Sequence, residues 1–326
     1  MIKCLQEEKT KEISKKVMVR TIAVFVLSLF FVFVLSSGCG YYMQTGMKTV
    51  PFGSVVPTPL SEIRAAEKAK KEKLKKEAEE KKKAELMQRI RPLGPLKKKI
   101  EKELKGREGK WSVYVKNLTS GDSFSINNRA SRSASIIKLY TAGAYLKAVK
   151  NKTIKDTAEN AYDFEYMIKE SSNVSWKALE SRLASAYGTS QENVVNSFIS
   201  SGGYKNTYRD RYSVHGSSTS VEDTGKLLEM AYRGKLVSKK ASARLIKYMK
   251  MQEHRAKIPK GLPKKGVICA NKTGELDTVD NDAAIIWTKY QDYILVVMSE
   301  DVNKKMLAVP VINKISEMVY NYIVDI

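Results

Sequence analysis

Three short runs rich in β-branched and aromatic residues, Val267–Lys272, Ala283–Trp287 and Tyr293–Ser299, return near the C-terminal end after a long stretch without strand pattern. A brief polar turn joins the last two, which predicts adjacent antiparallel strands. Two more runs stand far upstream: Trp111–Val115 and Phe124–Ile126 flank Thr119-Ser120-Gly121-Asp122 and read as a β-hairpin. Between the two groups, from Thr157 to Met251, apolar residues recur at helical spacing. Leu96, Ile100 and Leu104 stripe a short helix before the first strand, and Pro310 opens a last helix with Val311, Ile315, Met318, Val319 and Ile323 on one face. Strands split in this way predict a mixed α/β (α+β) domain, its sheet divided in sequence by an all-helical insertion.

Charge organises the rest. The 326 residues carry 58 Lys+Arg against 35 Asp+Glu, a formal +23. Residues 1–106 hold 24 basic and 12 acidic side chains, and residues 107–326 hold 34 and 23, so both parts are basic. Such a chain favours anionic surroundings. No motif that reads DNA or RNA occurs, and no nucleic-acid partner is expected.

The first twenty residues are charged, and an apolar run follows from Ile22 to Leu35, interrupted only by Ser28. That run is shorter than the ~20 residues of a comfortable membrane span, and it matches a signal-peptide core. Leu35-Ser36-Ser37-Gly38-Cys39 resembles a bacterial lipobox, with Cys39 as the lipidated residue and the leucine one position early. A lipoprotein and an uncleaved anchor helix both remain open. Either holds the domain on the extracytoplasmic face of a bacterial membrane, with the basic flank inside. The expected division is 1–39 signal peptide or anchor, 40–94 linker and charged stalk, and 95–326 the folded domain. The stalk, from Ser61 to Ile90, is nearly all Lys, Glu and Ala with a few Leu; it predicts a solvated helix supported by pairs such as Glu72–Lys76. Its lysines could also contact anionic lipid or wall polymer.

Cys4, Cys39 and Cys269 are scattered, as are His215 and His254. Neither a disulfide framework nor a metal spacing results, so no metal and no cofactor are expected, and a Ser-His-Asp triad is poorly supplied. Chemistry is carried instead by three short motifs. Ser135-Ile136-Ile137-Lys138 is the single S-x-x-K in the chain, at the front of an apolar helical segment. Residues three apart share a helix face, and a desolvated lysine can take the proton from a serine hydroxyl. Ser171-Ser172-Asn173 supplies S-x-N before the amphipathic segment Trp176–Leu183, and Lys272-Thr273-Gly274 supplies K-T-G at the end of a strand expected to be internal. Each has an ordinary alternative: a helix cap at Ser135, a solvated Lys138, a turn at Ser171-Ser172. Ser125-Ile126-Asn127 is a second S-x-N without a companion.

In order and context the trio resembles the class A branch of the serine β-lactamase and penicillin-binding protein superfamily, over about residues 95–326. Met167-Ile168, Asn271-Lys272-Thr273-Gly274-Glu275-Leu276 and Asn281-Asp282-Ala283-Ala284 extend the likeness. The resemblance implies an antiparallel five-stranded sheet flanked by helices. It also implies roles: Ser135 as nucleophile, Lys138 as proton acceptor, and Ser171 as relay to the leaving nitrogen. Asn173 would bind a substrate amide, Lys272 and Thr273 a substrate carboxylate, and the amides of Ser135 and Glu275, beside Gly274, the oxyanion.

Two departures qualify it. The glutamate that activates water in class A enzymes has no counterpart here: aligned on Asp210-Arg211-Tyr212, its place falls on Ser213, which predicts slow deacylation. Glu275 puts a carboxylate on the face of Thr273, where it would repel a substrate carboxylate unless it turned to a cation such as Arg255. The leading expectation is therefore an exported, membrane-tethered serine hydrolase that forms an acyl-enzyme with β-lactam-type amides. A D,D-peptidase acting on cell-wall peptides and a non-catalytic wall-associated lipoprotein are the alternatives.

Overall fold

Hydrophobic alternation builds the centre of the molecule, seen in a computed structural model that describes residues 60–210, 216–303 and 305–324. Strands β1 (Lys110–Asn117) and β2 (Ser123–Ile126) form the early hairpin. The two-residue strands β3 (Ser131–Arg132) and β4 (Ser218–Thr219) pair with each other. Strands β5 (Ile268–Leu276), β6 (Val279–Trp287) and β7 (Tyr293–Glu300) complete a five-stranded antiparallel sheet of order β2-β1-β7-β6-β5. The late hairpin thus inserts β7 beside β1, as a sheet divided by an insertion requires.

The chain divides into two units, 1–67 and 68–326. Of the first, only the opening of helix α1 (Leu60–Arg89) is described; this helix is exposed almost throughout, as its Lys/Glu/Ala composition dictates. In the second unit, α2 (Gly94–Leu104) precedes the sheet. A 3-10 turn (Ala134–Ile137) leads into α3 (Lys138–Lys150), followed by α4 (Ala158–Lys169), α5 (Asn173–Tyr187), α6 (Gln191–Ser201), α7 (Val221–Tyr232) and α8 (Lys239–Lys250). Helix α9 (Lys305–Val324) follows β7.

Both sheet faces are covered. Val113, Val115, Leu295 and Val297 face one core with Leu96 and Ile100 of α2 and Val311, Ile315 and Val319 of α9. Tyr114, Ile294 and Val296 face the other, shared with α3, α7 and α8. Burial on both sides explains why β7 reads as a continuous apolar run and not as an alternation. Each fully buried Val, Leu or Ile contributes about 1.5–3 kcal/mol.

Three expectations are corrected. Pro310 lies inside α9 and does not open it; the burial of Ala308 keeps the preceding turn against the core. Strand β5 is an edge strand, not an inner one, and Lys272-Thr273-Gly274 lies within it, not at its end. Strand β6 starts at Val279, four residues before the apolar run, because Asp280, Asn281 and Asp282 are buried polar residues with partners elsewhere.

Candidate active site

The turn that carries Ser135 is fixed from three sides. The β3–β4 pair brings Ser217 to it, so that Ser133 N–H donates to the Ser217 carbonyl at 2.9 Å. Asn281 of β6 donates through Nδ2 to the carbonyls of Arg132 (2.9 Å) and Ser133 (3.1 Å). On the third side runs β5: a Cβ placed on Gly274 would stand 2.7 Å from the Ser133 oxygen and 3.1 Å from the Ser135 nitrogen. Glycine is what allows that approach. Ala134 holds a left-handed backbone (φ +47°), a conformation costly for a residue with a side chain and sustained by these contacts.

Ser135 is half-buried, while Lys138, the first residue of α3, is fully buried. The two share a face through a 3-10 turn, in which residues i and i+3 eclipse. Neither ordinary alternative holds: Ser135 caps no helix by its side chain, and Lys138 is not solvated.

S-x-N sits between two helices, as expected. Ser171 ends the α4–α5 connection with φ +62°, Ser172 caps α5 by accepting from Ser175 N–H, and Asn173 is the first residue of that helix. Lys138 Nζ donates to the Ser171 carbonyl (2.5 Å), to Asn173 Oδ1 (2.6 Å) and, more weakly, to Ser171 Oγ (3.5 Å). Lys272 Nζ reaches across from β5 to donate to Ser171 Oγ at 2.7 Å and to the carbonyl of Thr273 at 2.9 Å. The motifs therefore converge on one hydroxyl. Ser125, in the solitary S-x-N, instead lies on β2 and donates to Glu222.

Burial penalises the charged form of both amines. It brings Lys138 down to about 7, against the pull of the Glu180 carboxylate. It holds Lys272 well below the ordinary lysine value, with the neighbouring Lys138 charge acting in the same direction. A lysine neutral near pH 7 has a lone pair and can accept a proton from a hydroxyl.

Other residues at the site were not legible as functional. Lys257, almost fully buried, forms ion pairs with Glu275 Oε1 (3.0 Å) and Asp280 Oδ1 (2.8 Å). The cation that meets Glu275 is thus Lys257, not Arg255, which donates to the Cys269 carbonyl. Asp282, raised to about 6 by burial, accepts from Ile258 N–H and Asn271 Nδ2 on the strand of Lys272. Glu180 of α5 is paired with Arg209. Of these, only the stretch Asn281-Asp282 had a sequence signal, as part of a family pattern. Asp223 accepts from Asn206 N–H and Thr207, and its N–H donates to Ser220, which caps α7. Ser213 and Cys39 lie outside the described residues. Among the described residues, no group of His, Cys, Asp and Glu could hold a metal ion, and no helix is long and apolar enough to cross a membrane.

The profile of the Beta-lactamase enzyme family matches residues 95–183 and 164–323. No curated protein is significantly similar in sequence. Among solved structures, PBP-A aligns with a TM-score of 0.65 at 23% identity, covering 73% of this chain and 98% of its own. A point mutant of PBP-A, solved as an acyl-enzyme complex with penicillin G, aligns with the same score and identity, covering 73% and 99%. The TLA-1 extended spectrum β-lactamase aligns with a TM-score of 0.65 at 21% identity, covering 72% and 100%.

Proposed function

The chain belongs to the Beta-lactamase enzyme family and is a serine β-lactamase-like enzyme; from that premise we propose that it forms an acyl-enzyme on Ser135 with β-lactam-type amides and releases the acyl group slowly. The observation that carries the reading is the convergence of Lys138 and Lys272 on Ser171, beside the turn that presents Ser135.

In this reading the neutral Lys138 accepts the Ser135 hydroxyl proton as Oγ attacks the amide carbonyl. The developing oxyanion is met by the backbone N–H groups of Ser135 and Glu275, which the absence of a Cβ at Gly274 lets approach. As the C–N bond breaks, Ser171 gives its proton to the leaving nitrogen and is reprotonated by Lys138, which holds the proton taken from Ser135. Thr273 and Lys272 orient the substrate carboxylate, and Asn173 its amide. Glu275, already paired with Lys257, leaves that carboxylate little to repel it.

Slow release follows from the carboxylates described nearby. Glu180, the one whose charge reaches Lys138, is bound to Arg209 and Thr141, and Asp223 and Glu222 are held elsewhere. A second reading, a D,D-peptidase on cell-wall peptides, draws on the same arrangement and on the likeness to PBP-A. Export, with a lipid on Cys39 or an anchor helix over 22–35, and contact of the basic stalk with anionic wall polymer or lipid belong to the same proposal; they rest on the sequence. Intact-mass analysis after incubation with penicillin G tests the core of it. A one-to-one adduct is expected, absent in Ser135→Ala. An unmodified wild-type protein would refute it, and turnover of a D-Ala-D-Ala peptide would favour the second reading.

A further inference from the structure

Beneath the site, two helix faces meet in a ladder of buried polar groups. Helix α5 presents Asn173, Trp176 and Glu180, which at i, i+3 and i+7 lie on one face. Helix α3 presents Lys138 and Thr141. Asn173 accepts from Lys138, and the Trp176 indole N–H donates to Thr141 Oγ1 at 3.0 Å. Thr141 in turn donates to Glu180 Oε1 at 2.7 Å. These five side chains join the nucleophile helix to α5, and Glu180 is wholly inaccessible to water.

A carboxylate in such a place needs a cation. Arg209 supplies it from the segment after α6, donating to Glu180 through Nε (3.3 and 3.2 Å) and Nη2 (2.8 Å). Its guanidinium also lies 4.4 Å from the centre of the Trp176 ring, and Lys138 Nζ lies 5.6 Å from the same ring. The Arg209 main chain is clamped by Asn196, which accepts from its N–H (2.8 Å) and donates to its carbonyl (3.0 Å).

We propose that Glu180 is a positioning residue for Lys138: held by Arg209 and Thr141, it sets a buried negative charge behind the lysine and ties the 206–210 segment to the nucleophile helix. The inference rests on the role given to Lys138 above. Among the described residues, the charged groups facing Lys138 are Lys272 from β5, Glu180 from α5 and, across the Trp176 ring, Arg209 from the segment after α6. Of these, Lys272 opposes a proton on Lys138 and Glu180 favours one. Without Glu180, Lys138 would lose its proton at lower pH, leaving a weaker base. With Glu180 it stays basic enough to take a hydroxyl proton while a substantial part of it is neutral near pH 7.

The test follows Lys138 directly, by NMR titration of the full chain labelled at lysine Cε, alongside the pH profile of penicillin acylation. Glu180→Gln is expected to move both midpoints down by about half a unit or more. Glu180→Gln with Arg209→Met leaves no lone buried charge, so it carries the test if the single variant does not fold; it is expected to move them in the same direction. A part that served only the fold would change rates and melting temperature without moving either midpoint. An unmoved or raised Lys138 midpoint in both variants would overturn the inference. A Lys138 midpoint that falls in these variants, together with a wild-type protein that forms no penicilloyl adduct, would sink the acylation reading and leave this one standing.

Discussion

Ser171 Oγ lies 2.7 Å from Lys272 Nζ, although 101 positions separate the two residues in the chain. Lys138 approaches the same oxygen at 3.5 Å from the other side. In the mechanism proposed above this hydroxyl, held between two buried amines, relays the proton to the leaving nitrogen, and its removal would cost that step. Ser171→Ala is expected to slow acylation by about 100-fold or more while leaving Ser135 reactive. Stopped-flow acylation by a chromogenic β-lactam measures this, and an unchanged rate would remove Ser171 from the mechanism.

The pH profile follows from Lys138. Its ammonium is penalised by burial and loses its proton near 7, so in the proposed mechanism the amine can accept a proton above that value and is blocked below it. The acylation rate is expected to fall about tenfold per unit on the acid side and to level off above about 7. A profile flat through that range would show that another group takes the proton.

Gly274 tests the packing of β5 on the nucleophile turn. In Gly274→Ala the added methyl meets the Ser133 carbonyl, which Asn281 holds in place, and the Ser135 amide two residues on. A stability loss of about 1–3 kcal/mol is expected, with a larger proportional loss of acylation. Urea unfolding and acylation rates separate the two effects. Wild-type values for both would place the strand farther away than described.

Lys257 is buried between Glu275 and Asp280 and also donates to the carbonyls of Gly274 and Asn281. Lys257→Met leaves the buried Asp280 without this cation, an effect of about 3–5 kcal/mol. Urea denaturation checks this: the midpoint is expected to fall, and one close to wild type would show that the Lys257 ion pairs contribute little to stability.

Legibility in the sequence followed the range of the interactions. The five strands, the helical insertion and the three motifs rest on spacings within a few residues, and they stood out. Lys138 on the face of Ser135 needed only a single turn, although the turn proved to be 3-10. The start of β6 was hidden because Asp280, Asn281 and Asp282 break the apolar run. Their reasons for being buried lie at Lys257, Ser133 and Ile258. Glu180 looked like the polar side of an amphipathic helix, since its partner Arg209 comes 29 residues later. The edge position of β5 was equally invisible, because strand order depends on which strands pair across the insertion.

The central proposal is that Ser135 is acylated through Lys138, Ser171 and Lys272 and that the acyl group then leaves slowly, because the place of the family's water-activating glutamate falls on Ser213. One time course measures it: intact mass of the protein after a pulse of penicillin G, followed through formation and decay of the adduct. The account predicts one adduct per chain, mapped to Ser135, which forms far faster than it decays. No adduct, or one retained in Ser135→Ala, would contradict it. An adduct that vanishes as fast as it forms would contradict the slow release.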